Sequence, residues 1–216
     1  MKRIVLSFVV LLLATAGAAW AGTQAYKLVM SKDKELCTNM LRLFNEDMKQ
    51  YKEIRYDEHE VFTQVPWKVV DLGGDGHGCI FLKNATFDIN NDGKEDLVLK
   101  TSMCLRDQLS DSLYIFSPDS DVISKLKIGK GGFEPLRSTP NRFARTGRAY
   151  DLKELDTAQN DGLPAAIGGI FTLQPFIWGK TAYVSMTDLQ PEWIVIAKYL
   201  QGEEFQDICY FRRKGN

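Results

Sequence analysis

The sequence predicts an α+β protein that consists mainly of antiparallel β-sheet, with one amphipathic helix near the N-terminus. Stretches rich in Val, Ile, Leu, Phe and Tyr, separated by turn residues, recur between residues 65 and 213. Residues 31–51 instead place apolar side chains at helical spacing. No internal repeat or low-complexity linker divides the chain, which predicts a single domain over residues 22–216.

Residues 1–21 have the features of a cleaved export signal. Lys2 and Arg3 form a basic head, residues 4–16 are almost entirely apolar, and residues 19–21 form a small-x-small cleavage pattern. The alternative is an uncleaved membrane anchor, but the apolar run is shorter than the roughly 20 residues of a spanning helix. We therefore expect a periplasmic or secreted chain with no membrane span after cleavage.

The charge of the mature chain argues against one class of partner. The signal carries two of the 27 basic residues and no acidic residue, so 25 basic and 28 acidic residues remain. This near-neutral balance lacks the basic field that nucleic-acid binding requires. We expect no nucleic-acid partner, and an envelope protein or polymer is the expected partner.

The helix is predicted from residue 31 to residue 51, with Ser31 as its N-cap. Asp33 and Glu35 would lie in its first turn and complement the helix dipole. Its apolar face is predicted to contain Cys37, Leu41, Phe44, Met48 and Tyr51, widened by Leu36, Met40 and Leu43.

The β-strands are predicted from their apolar and β-branched content. They are Val65–Leu72, Gly78–Ile89, Asp96–Met103, Asp111–Ser117, Ile167–Gln174, Phe176–Trp178, Ala182–Thr187, Trp193–Leu200 and Asp207–Arg213. Short connections at residues 178–180 and 201–204 are typical of hairpins. Residues 129–164 are rich in Gly and Pro and are predicted to be mostly loop.

One segment, residues 88–96, has the pattern of a calcium-binding loop. Calcium takes six to eight oxygen ligands, and a tight loop can turn alternate side chains inward, while Gly93 gives the backbone freedom for a sharp turn. The predicted ligands are the side chains of Asp88, Asn90, Asp92 and Asp96 and the main-chain carbonyl of Lys94. The alternative is a polar hairpin turn in which Asn and Asp bond their own backbone.

The loop resembles those of FG-GAP and VCBS-like extracellular β repeats. An EF-hand would have Glu at the twelfth position, where this chain has Leu99, and would have helices rather than apolar strands on both sides. In the repeats that it resembles, an Asp-x-Asn-x-Asp-Gly-x-x-Asp loop binds calcium between strands, and several copies form a propeller. The resemblance implies a Ca²⁺ ion, which we expect to be structural, and covers a single copy here.

The four cysteines, Cys37, Cys79, Cys104 and Cys209, predict two disulfide bonds in an oxidising compartment. No Cys-x-x-Cys pair is present to suggest zinc. Among the three possible connectivities, Cys79–Cys104 with Cys37–Cys209 is favoured. Cys79 and Cys104 would lie almost opposite each other if the strands beside the acidic loop form a hairpin. The other bridge would join the helix to the last strand.

Enzymatic activity is not indicated by any motif. The chain has two histidines and no Gly-x-Ser-x-Gly elbow, and disulfide bonding would remove the thiols. The sequence favours a non-catalytic binding or structural module. The alternative is an envelope-polymer hydrolase that uses carboxylates of the 129–164 region, where the available acids are Asp151, Glu154, Asp156 and Asp161.

A cluster of arginines in the same region is a candidate anion-binding site. It contains Arg137, Arg142, Arg145 and Arg148, with no acidic residue between them. Guanidinium groups can bind phosphate or carboxylate with two parallel hydrogen bonds. The alternative is a surface loop whose arginines pair with acids elsewhere in the chain.

Overall fold

The computed structural model describes residues 25–71, 80–105, 108–129, 132–134, 171–188, 192–200 and 204–215. The strands are β1 Tyr26–Ser31, β2 Lys68–Val69, β3 Ile80–Phe87, β4 Asp96–Leu105, β5 Gln108–Phe116, β6 Lys127–Gly129, β7 Gly132–Glu134, β8 Phe171–Trp178, β9 Thr181–Asp188, β10 Trp193–Leu200 and β11 Glu204–Arg213. The helices are α1 Lys34–Gln50, α2 Glu60–Thr63 and α3 Val122–Lys125, and a 3-10 turn spans Tyr56–Glu58.

The strands form two larger sheets and one small hairpin. The first sheet has the order β1-β11-β10-β9-β8, the second has the order β2-β3-β4-β5, and β6 pairs with β7. Every strand pair in the described part of the chain is antiparallel. The prediction of a mainly antiparallel β fold is therefore confirmed at this level.

The two sheets pack face to face and share one hydrophobic core. Val98 and Leu113 of the second sheet lie in the same buried cluster as Val184, Val195 and Ala197 of the first. Two sheets can bury one face each in this way, because side chains alternate between the faces of every strand. The β3–β4 hairpin is therefore held against the first sheet.

Helix α1 covers the opposite face of the first sheet. Met40 and Phe44 share a second buried cluster with Ile194 and Phe211. Because β10 contacts core on both faces, its first five residues are all buried. Such a strand reads as a continuous apolar run instead of an alternating one.

The predicted cap of this helix is wrong. The N-cap is Asp33, whose side chain accepts a hydrogen bond from the backbone N–H of Leu36. Ser31 instead ends β1, an edge strand that pairs with β11 and that the sequence did not predict. Both residue types are good caps, so local propensity alone did not decide between them.

Several predicted strand boundaries also differ from the structure. Of the strand predicted over 65–72, the described residues 65–71 contain the two residues of β2, and part of the predicted 129–164 loop forms β7. A break was predicted at Pro175, but β8 continues through this residue. β8 is an edge strand, where a residue without an N–H can be accommodated.

The predicted Cys37–Cys209 bridge is confirmed, with a Cα–Cα distance of 5.5 Å, and it joins α1 to β11. Its half-cystines are separated by 172 residues, so it closes most of the chain into one loop. Cys79 lies outside the described residues, and the second bridge remains a prediction. The register on which that prediction depends is observed, because Ile80 pairs with Met103, the neighbours of Cys79 and Cys104 in sequence.

Candidate functional site

The acidic loop connects β3 to β4 at one end of the second sheet. Phe87 and Asp96 are the last cross-strand pair, and pairing continues without interruption to Ile80 and Met103. Residues 88–95 therefore form the loop of an eight-residue hairpin connection. The strands on both sides are those that the sequence predicted for a loop of this kind.

Three predicted ligands fold back onto the backbone of this loop. The two carboxylate oxygens of Asp88 accept hydrogen bonds from the N–H groups of Asp92 and Gly93, at 3.0 and 2.9 Å. Asn90 Oδ1 also accepts from Asp92 N–H, at 2.9 Å, and Asp92 Oδ1 accepts from Lys94 N–H, at 2.8 Å. Alternate side chains therefore turn toward the loop backbone, in the contacts of a turn in which Asn and Asp bond their own main chain, and their role as calcium ligands remains a prediction.

The backbone needs left-handed residues to make this turn. Asn91 has φ +59° and Gly93 has φ +86°. Asn and Gly adopt this region at the lowest cost among the common residues. The Asn-Asp-Gly sequence at 91–93 therefore specifies the sharp bend of the loop.

The carboxylate of Asp96 is partly buried and is affected by the negative charges of Asp92 and Asp88. Burial, and next the negative charges of Asp92 and Asp88, raise the pKa of Asp96, while hydrogen bonds from the backbone of Ile89 and Asn90 partly offset the shift. Its Oδ2 atom is buried and, within the described chain, has no hydrogen-bond partner. A buried carboxylate oxygen without a partner is costly, since it loses water and gains nothing in return.

The donor set fits a hard cation such as calcium. Each carboxylate oxygen has two lone pairs, so an oxygen that accepts one N–H can still bind an ion. Among the described residues, however, no group of three or more His, Cys, Asp or Glu side chains is gathered closely enough to hold a metal ion. Lys94 is exposed, and the role of its carbonyl as a ligand remains a prediction.

Asn91, which sequence reasoning missed, attaches this loop to the first sheet. Its Oδ1 accepts a hydrogen bond from the N–H of Ala182 at 2.8 Å. Its Nδ2 donates to the carbonyls of Ala182 and Tyr199, both at 3.2 Å. The side-chain amide therefore acts like an additional backbone unit between β9 and β10. The sequence did show an Asn between two candidate ligands, but its hydrogen-bond partner Ala182 lies about 90 residues further along the chain, so local patterns could not identify the contact.

A second polar cluster surrounds the buried carboxylate of Asp47. Asp47 is 2% exposed, lies 2.8 Å from His59 Nε2, and accepts a hydrogen bond from the backbone N–H of Arg55 at 2.9 Å. These contacts hold residues 52–59 against α1. His59 is thus part of a contact that stabilises the fold.

A groove of about 470 Å³ lies between α1, α2 and the β8–β9 hairpin. Its lining includes Glu35, Glu60, Gln64 and Trp178, and no basic residue. The charged residues of this lining, Glu35 and Glu60, are both acidic. An anionic polymer therefore finds no complementary charge in it.

The remaining candidate residues lie outside the described part of the chain. They are the anion-binding candidates Arg137, Arg142, Arg145 and Arg148 and the hydrolase candidates Asp151, Glu154, Asp156 and Asp161. The export signal over residues 1–21 also lies outside it. None of the helices in the described residues has the length and apolar composition to cross a membrane.

In comparisons with protein-family models, with curated proteins and with solved structures, no significant match to this chain was found.

Proposed function

We propose that this chain is an exported, non-catalytic binding or structural module whose β3–β4 loop holds a structural calcium ion. Its partner in this proposal is an envelope protein or polymer. The proposed ligands are the side chains of Asp88, Asn90, Asp92 and Asp96 and the main-chain carbonyl of Lys94.

The observation that carries the proposal is the environment of Asp96. Its buried Oδ2 has no hydrogen-bond partner in the described chain, and two further carboxylates add negative charge. A divalent ion would bind the orphaned oxygen and offset the negative charge that Asp92 and Asp88 place near it. A turn held only by its own hydrogen bonds needs neither the third carboxylate nor its burial.

The position of the loop supports a structural role. Asn91 joins the loop to β9 and β10, so an ion that orders residues 88–96 also orders a contact between the two sheets. A catalytic ion would need an open coordination position in a cleft and a base close to it. Among the described residues the one histidine is His59, and its ring nitrogen contacts Asp47 beside α1, so it is not a base next to this loop.

The disulfide supports the proposed export. Disulfide bonds persist in the periplasm and in secreted proteins and are rare in the reducing cytosol. Cys37 and Cys209 form such a bond between buried residues. The signal-like sequence before residue 22 and the bridge are independent features, and both agree with an oxidising compartment.

Isothermal titration of the folded protein with CaCl₂ tests the proposal directly. We expect one site with a dissociation constant of ~10⁻⁴–10⁻³ M, typical of extracellular calcium modules. Mg²⁺ should bind more weakly, because it gives up its water ligands reluctantly. Asp88→Asn should abolish the signal, whereas Glu95→Gln, an exposed and non-ligating neighbour, should retain it. Equal heats for the two variants would contradict the ligand assignment.

A further inference from the structure

Asn91 differs from its neighbours in the loop because its side chain points away from the candidate ligands. Asn90 and Asp92, on either side of it, direct oxygen atoms to the loop backbone. Asn91 instead forms three hydrogen bonds with two strands of the other sheet. One residue therefore belongs to the loop by its backbone and to the β9–β10 pair by its side chain.

These contacts complete the end of a strand pair. The last described β9–β10 pair is Ala197 with Val184, and the same register, continued by two residues, would bring Tyr199 opposite Ala182. At that step the carbonyls of Ala182 and Tyr199 both accept from Asn91 Nδ2. The amide thus supplies hydrogen bonds where the two strands separate. Without it, the N–H of Ala182, a residue only 3% exposed, would lose its acceptor.

The left-handed backbone of Asn91 links the two roles. A φ of +59° is required for the loop to turn, and the same conformation directs the side chain out of the loop. If the loop changes shape, Asn91 cannot keep both its backbone conformation and its three hydrogen bonds. The order of the calcium loop and the order of the β9–β10 end are therefore coupled.

We propose that Asn91 is a positioning residue that couples calcium binding in the loop to the junction between the two sheets. This inference rests on the calcium site proposed above and adds a residue that is not a ligand. Coupling is reciprocal by thermodynamic linkage. Calcium tightens the Asn91 contacts with Ala182 and Tyr199, and those contacts in turn hold the ligands in a binding-competent arrangement.

Asn91→Gly is the variant that separates this role from backbone strain, because glycine keeps the left-handed conformation and removes only the amide. We expect its calcium affinity to be about fivefold or more below that of the wild type, within the usual range of coupling between sites. Lys100→Met is the matched control, since it also removes a contact between the sheets, at Leu173, but Lys100 lies on β4, four residues beyond Asp96, and is not a proposed ligand. It should lower stability and leave calcium affinity unchanged.

Amide hydrogen exchange supplies a second readout that general destabilisation would not reproduce. In the wild type, calcium should slow exchange of the Ala182 amide and leave the Leu173 amide, which is bonded to Asp111, unchanged. In Asn91→Gly, the calcium effect at Ala182 should disappear. If calcium binds to the wild type and Ala182 exchange does not respond, the coupling is refuted and the calcium site stands. If no calcium binds to the wild type, both proposals fail.

Discussion

The carboxylate of Asp111 in β5 accepts a hydrogen bond from the backbone N–H of Leu173 in β8, at 2.9 Å. Lys100 lies 2.9 Å from the same carboxylate and donates to the Leu173 carbonyl. The side chains of Asp111 and Lys100, from the second sheet, thus provide hydrogen-bond partners for the N–H and C=O of Leu173 on the edge strand β8. An edge that is covered in this way is protected from pairing with other chains.

Removing one charge of the Lys100–Asp111 pair should destabilise the fold more than removing both charges would suggest. Asp111→Ala leaves a largely buried ammonium without its counter-charge and the Leu173 N–H without its acceptor, and we expect a loss of about 3–5 kcal/mol in the free energy of unfolding. The double variant Lys100→Met/Asp111→Ala should be less destabilised than the sum of the two single variants, because no buried charge is left alone. Urea denaturation of the four proteins measures this, and strictly additive losses would contradict it.

If the loop binds calcium as proposed, the effect of Asp96→Asn on stability should change sign between chelator and calcium. Because the pKa of Asp96 is raised above its ordinary value of 3.8, its ionisation costs the folded state stability, and this cost is fully present at neutral pH. With chelator at pH 7, we therefore expect the variant to unfold at a higher urea concentration than the wild type. With saturating calcium it should unfold at a lower one, since a charged ligand has been removed.

The pH dependence of the stability of Asp96→Asn in chelator provides a control. Below pH 3.8 the carboxyl is protonated in both the folded and the unfolded chain, so the advantage of Asp96→Asn in chelator should disappear as the pH falls through this range. An advantage that persists at low pH would assign the effect to packing rather than to charge. A variant that is less stable than the wild type under all conditions would remove the electrostatic argument for an ion.

The second disulfide is testable by peptide mapping without reduction. We expect Cys79 and Cys104 to appear in one linked peptide, because they continue the observed register of β3 and β4 by one step. The Cys37–Cys209 peptide serves as the internal control, as its bridge is present in the structure. Free thiol at Cys79 and Cys104 in protein recovered from an oxidising compartment would refute the second bridge.

The sequence allowed much of the local structure to be predicted, because periodicity and turn residues act over short distances. The strands on both sides of residues 88–96 and the Gly179 hairpin between β8 and β9 were recognisable from such patterns. The Cys37–Cys209 bridge was also preferred correctly, although by elimination once the hairpin pair had been assigned. That inference depended on the local hairpin prediction.

Features that depend on distant partners were missed. β1 is a short strand whose partner, β11, lies at the other end of the chain, and its own six residues contain no turn signal or alternation that would identify it. Asp47 was not among the helix residues predicted to be buried, but its carboxylate is buried against His59 and the backbone N–H of Arg55. Asn91 and Asp111 each bond a strand of the other sheet. A charged or polar side chain can be predicted to be exposed only when the fold offers it no hydrogen-bond or ion-pair partner.

The most direct test of the proposed calcium site is the melting temperature of the protein in calcium and in chelator. At roughly 10–100 times the dissociation constant, an ion that binds only the folded state adds about 1.4–2.7 kcal/mol of stability. For a chain of this size, we expect an increase of about 3–10 °C. The increase should vanish in Asp88→Ala/Asp92→Ala. No increase in the wild type, or an equal increase in the double variant, would contradict a calcium ion at residues 88–96.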